Sequence, residues 1–163
     1  MAVRQLQEMG ENLQTIIRRL LANETLVKLL YYTDKDPLSH EALTDEQIKE
    51  EVYEKLVKVV PKLDPLETAK SVISFRVVRG RENVENSEFL DLNLAIEVFV
   101  PLTQWFVKSV SLRPFLIMSE IIKSLDGKTI NGMGKLKSGG FDINFLTTEM
   151  SCYEMLFYMT TYD

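Results

Sequence analysis

The sequence predicts an α+β fold: a small, mostly antiparallel β-sheet with helices packed on one face, preceded by an N-terminal helical segment. Three observations carry this. Leu6, Met9, Leu13, Ile16, Ile17, Leu20 and Leu21 recur at three- and four-residue spacing and make one apolar stripe. Glu88–Val100 alternates, with Leu90, Leu92, Leu94, Ile96, Val98 and Val100 set against Asp91, Asn93 and Glu97. After it come a helix that starts at a proline, a Gly-rich loop and two further apolar strands.

The elements follow in order. Asn23 suits either the end of the first helix or the cap of a short second one, Glu24–Tyr31. YYTDKDPLSHEALTDEQ reads as a long loop in which Pro37 breaks any regular element. Thr44 followed by Gln47 fits a capping box, so Asp45–Val60 reads as a helix. Its β-branched tail of Val57, Val59 and Val60 is equally compatible with extended chain, and Pro61 ends it. Lys62–Thr68 is a turn segment, Ser71–Arg79 a strand, and GRENVENSE a charged connector. Glu88–Val100 is the cleanest strand and stops at Pro101. The helix Arg113–Leu125 has Pro114 in its first turn and ends at Asp126-Gly127. Phe115, Met118, Ile121, Ile122 and Leu125 are its buried stripe. Asp126–Gly140 is a Gly-rich loop, followed by strands Phe141–Thr147 and Ser151–Tyr162. The last strands carry apolar residues on both faces, which marks a central or partner-covered position.

The 163 residues fit one domain with one core. Within it, 1–60 is mainly helical, 34–65 is a loop insertion, and 70–163 holds the sheet and its crossing helix. The net charge of −5 disfavours a generic phosphate-neutralising nucleic-acid binder. One cysteine, Cys152, permits no intrachain disulfide and fits a reducing compartment. Met1–Gly10 lacks an apolar signal core, so no secretory signal is expected. No apolar run reaches the roughly 18–20 residues that span a bilayer.

No catalytic motif interrupts the series. Ser39, His40 and Asp36 make a triad only on paper, because sequence neighbours rarely meet with triad geometry and no nucleophile elbow is present. A loop-ordering role for His40, the only histidine, is the simpler reading. Asp34, Asp36, Glu41, Asp45 and Glu46 lack the alternating ligands and central glycine of a calcium loop. Acids at a helix N-terminus explain them better. Cys152 reads as a small buried apolar residue. Gly132, Gly134, Gly139 and Gly140 surround Lys135 and Lys137, but NGMGKLKSGG has neither Walker A nor dinucleotide-fold spacing. A basic arm that reaches a neighbour is the functional reading, and a plain loop is its alternative. Trp105 is either a core or hinge residue or an interface anchor. Arg79, Arg81, Glu82 and Glu85 are either a solvated turn or charges complementary between repeated subunits.

The order strand, helix, Asp-Gly, strand, strand in FLDLNLAIEVFVP, RPFLIMSEIIKSLDG and FDINFLTTEMSCYEMLFYMTTYD resembles the tail terminator (tail completion, head-tail joining) proteins of long-tailed bacteriophages. The leading ENLQTIIRRLL and the strand SVISFRVV fit the same order, so the resemblance spans most of Glu11–Asp163. It implies a structural virion protein without enzymatic activity or cofactor. Such a protein forms a ring, usually a hexamer, that caps the tail tube and joins it to the head connector. Implied partners are further copies of the chain, the tail tube protein, a head-completion or connector protein, and DNA that passes through the lumen without specific binding. The implied site of action is the virion neck, assembled in the host cytoplasm. The segment Asp34–Pro65 departs from the family order and leaves the neck position open. Ring closure needs two complementary surfaces, and Glu88–Val100 and Ser151–Tyr162 are the expected sheet edges. The alternative is a small α+β ligand-binding or regulatory domain, with a pocket between the sheet and helix Arg113–Leu125 lined by Asn93, Glu97 and Asn144.

Overall fold

A computed structural model describes residues 2–59, 70–85, 90–108, 110–130 and 134–160. Helix α1 (Ala2–Leu21) presents Leu13, Ile16, Ile17 and Leu20 to the core, as its spacing requires. Helix α2 (Glu24–Tyr31) follows after one turn, and Asn23 is its cap. Asn23 Oδ1 accepts from the Leu26 N–H at 3.0 Å. Its Nδ2 donates to Glu120 Oε2 and Ser124 Oγ, both at 3.0 Å. The Thr44–Gln47 capping box forms, with bonds of 3.0 and 3.2 Å. It opens α3 (Asp45–Gln47), which runs through a π-helical stretch, Ile48–Tyr53, into α4 (Glu54–Leu56). The chain then turns extended at β1 (Val57–Lys58), where β-branched Val57 favours strand over helix. The segment 60–69, with the turn Lys62–Thr68, lies outside the described residues.

The main sheet contains β1, β2 (Val72–Glu82), β3 (Leu90–Pro101), β8 (Lys137–Leu146) and β9 (Met150–Thr160), in the order β1-β2-β3-β9-β8. Only the β1–β2 pair is parallel. Between β3 and β8 lie a small hairpin of β4 (Phe106–Val107) and β5 (Ser111–Leu112), helix α5 (Arg113–Leu125), and a second hairpin of β6 (Thr129–Ile130) and β7 (Gly134–Lys135).

Register sorts the sheet into two faces. Leu92, Leu94, Ile96 and Val98 of β3 stand opposite Met159, Phe157, Met155 and Tyr153 of β9. This face carries α5, whose Ile117, Met118, Ile121 and Leu125 are buried. Phe115 packs its ring against Tyr153 and Phe141, with centroids 5.4 and 6.0 Å away. Each fully buried side chain of this layer, such as Ile117 or Ile121, contributes about 1.5–3 kcal/mol of transfer free energy, whereas Phe115, which the sequence places in the buried stripe, is 40 % exposed because it sits at the border of the helix-covered area. The other face carries Asn93, Ala95, Glu97 and Phe99 of β3 against Tyr158, Leu156, Glu154 and Cys152 of β9.

Several expectations are corrected. β2 runs on to Glu82, so Arg81 and Glu82 belong to a strand rather than a connector. A register shift between Val77 and Arg79 lets the strand continue past the end that its alternation predicts. β8 begins at Lys137 and absorbs Gly139 and Gly140, which the sequence places in a loop. Gly139 is needed there because a Cβ would sit 2.0 Å from the Tyr158 ring. β3 and β9 are interior strands, not edges. Ala95, Glu97 and Phe99 on the second face of β3 are buried along with the first, which an edge position would not require. Among the described residues, the edge strands are β1 and β8.

Candidate interaction surface

Cations distant in sequence meet at one end of the sheet. Arg81 from β2, Lys135 from β7 and Lys137 from β8 line a groove of about 400 Å³. Its floor is built from Asp91, Asn93, Tyr158 and Thr160. Asp91 Oδ1 accepts from Asn83 Nδ2 at 2.9 Å and Thr160 Oγ1 at 2.8 Å. These bonds, with a smaller effect of Arg81, hold its carboxyl below the ordinary range. Three cations therefore face one carboxylate in a chain of net charge −5. Arg79 and Glu82 are exposed on β2, and Glu85 is exposed just after it; none of the three lines the groove.

The edge strand β8 forms the second part of the surface. Phe141, Ile143 and Leu146 pair with Met155, Tyr153 and Ser151, so they share the face that α5 covers elsewhere. Here α5 reaches only Phe141, through the Phe115 ring, and the three residues are 51, 53 and 57 % exposed. Sequence reasoning did not single out these residues, although the FDINFL alternation carried the signal. Trp105 is half-buried against the core, and its Nε1 donates to Ser151 Oγ at 2.8 Å.

The remaining candidates are held apart from one another. His40 Nε2 bonds Asp34 Oδ2 at 2.7 Å and its ring stacks on Tyr32, while Ser39 Oγ donates to the Asp36 carbonyl. No hydroxyl–imidazole contact results. Desolvation opposes ionisation of Asp34, but the Asp36 N–H and His40 prevail and lower its pKa. Asp36 pairs with Lys108 at 3.3 Å. Among the described residues, no three His, Cys, Asp or Glu side chains are grouped to hold a metal. Cys152 is fully buried, and burial, with the Glu97 carboxylate adding to it, pushes its thiol up to about 12. At neutral pH it is therefore a thiol, not a nucleophile. Gly132 lies outside the described residues.

Asn93, Glu97 and Asn144 do not line a pocket under α5, because period-2 geometry puts them on the opposite face. There Glu97, only 6 % exposed, accepts from Asn144 Nδ2 at 3.0 Å and pairs with Arg76 at 3.3 Å. Arg76 also pairs with Glu154. A second arginine, Arg113, is wholly buried in the helical layer. It donates to the carbonyls of Gln104 (2.9 Å), Leu29 (2.7 Å), Tyr32 (2.6 Å) and Asp34 (2.5 Å). Its one sequence signal is a cation in the first turn of a helix, where the dipole disfavours it.

The fold and these surfaces define an α+β protein whose distinctive features are an open sheet edge and a basic groove. The YomW family model matches residues 23–159, and the chain belongs to that family, which is phage-derived and of the SPbeta-like prophage type. None of the curated proteins matches the chain.

Proposed function

We propose that this protein is a structural virion protein of the tail terminator type. Copies form a ring, usually a hexamer in such proteins, that caps the tail tube and docks it to the head connector in the virion neck. DNA passes through the lumen without being gripped. The action is mechanical and uses no catalytic group or cofactor.

The observation that carries this reading is the β8 edge. Soluble proteins blunt an open edge with charge, bulges or a covering element. β8 has Lys137 and two register shifts, but its Phe141, Ile143 and Leu146 remain a little over half exposed. Such a strand is suited to strand addition by a neighbour, which supplies main-chain bonds and covers the apolar row. Membership of a phage-derived family and the helix–sheet–helix–hairpin element order support the same reading.

Light scattering on the purified chain, alone and with purified tail tubes, tests it. The expected result is a mass of about six chains, or saturable binding to one tube end. Phe141→Lys with Ile143→Lys should abolish either. A wild-type chain that stays monomeric and ignores tubes overturns the reading. It would turn attention to a ligand-binding domain, with anionic compounds tried in the groove first.

A further inference from the structure

Charge is divided unevenly along this chain. Residues 34–54 hold eight acids against two bases, whereas the rest holds sixteen against seventeen. The acidic stretch ends in α3, the π-helical segment and α4, which lead directly into β1 at one edge of the sheet. Asp45, Glu46, Glu50 and Glu54 are exposed on it. The opposite edge is β8, with Lys137 at its start, Lys135 beside it and the apolar row beyond.

The acidic side also offers an apolar receptacle. A groove of about 430 Å³ between α1 and the 45–53 helix is lined by Ile17, Leu21, Ile48 and Tyr53, with Asp45 at its rim. Arg18 and Lys49 share that rim. One sheet edge thus has exposed apolar side chains next to lysines. The flank that leads to the other has exposed acids, Glu46, Glu50 and Glu54, beside an apolar groove whose own lining carries two bases and one acid.

We propose that the β8 edge and basic groove of one copy dock on the acidic 45–54 flank of the next copy, head to tail. The inference rests on the ring reading and deepens it by naming both surfaces. The contact is heterologous, since the two surfaces differ and lie on opposite edges, and such contacts generate rings when the rotation closes. Apolar burial supplies most of the affinity, and the charges set register and direction.

A charge-swap mixture tests this without a ligand. One variant carries Lys135→Glu and Lys137→Glu; the other carries Glu46→Lys and Glu50→Lys. All four positions are exposed, and an unchanged thermal melt confirms that each variant folds. Mass is read by light scattering, alone and on tail tubes. Each variant alone should lose assembly by about tenfold or more, because like charges now meet. Mixed in equal amounts they should recover it, since every contact in an alternating ring again joins opposite charges. Variants that assemble like wild type overturn the docking while leaving the ring reading in place. Variants that fail both alone and mixed overturn the pairing of these two surfaces. Rings of normal mass that no longer bind tubes assign the groove to another acidic protein and also overturn it. A monomeric wild type under all conditions overturns the ring reading and this inference together.

Discussion

The two faces of the central sheet are built on different principles. The helix-covered face is apolar along β3 and, Ser151 apart, along β9, and the buried cation of the helical layer above it, Arg113, donates to four backbone carbonyls. The other face buries a carboxylate, Glu97, and balances it with Arg76, Asn144 and the partly exposed Glu154. On the first face a cation ties helices together. On the second an ion network tolerates water at one side, with Arg76 39 % exposed. The first arrangement should fail abruptly when cut and the second gradually, because solvent can replace only exposed partners.

The largest expected effect is at Arg113. Arg113→Met keeps the length and removes every donor, so the carbonyls of Gln104, Leu29, Tyr32 and Asp34 are left without this partner. Denaturant unfolding should show a loss of about 3–5 kcal/mol. A loss under about 1 kcal/mol would mean that water enters and that the two faces do not differ. Arg76→Ala should cost less, about 1–3 kcal/mol at neutral pH, given its exposure. Glu97 and Glu154, cross-strand partners, are then left facing each other without their shared cation. A loss under about 0.5 kcal/mol would show that the network contributes little to stability. The smallest effect belongs to Ser74 on the network face, whose buried hydroxyl has no hydrogen-bond partner among the described residues. Ser74→Ala should be neutral or stabilise by up to about 1 kcal/mol, read from the same unfolding curves. A clear loss would place an ordered water there.

Much of the fold is legible from local rules. The stripes of α1 and α5, the capping box at Thr44, and the alternation of β3 follow from helix and strand periods. The bounds of α2 and α5 agree with expectation because Asn23, Pro114 and Asp126-Gly127 are punctuation with a steric or hydrogen-bonding cause. The apolar residues on both faces of β9 did mark a central strand. The same signs misled about edges, since β3 also lies inside the sheet and β8, with its cleaner exposure, lies outside. The candidate surface was legible only in part. Arg81, Lys135 and Lys137 stand out in the sequence as charges, but nothing local says that they line one groove.

By itself, the sequence determined the long helices and the cores of the long strands, which face of each is apolar, and that the chain makes an α+β core. These depend on side-chain spacing against backbone periods of 3.6 and 2, which neighbours in sequence settle. Only the tertiary structure decided strand order, the open β8 edge, the meeting of the three cations, and the roles of Arg113 and Arg76. Those depend on contacts between residues tens of positions apart, where the balance of desolvation and partner geometry has no local signature.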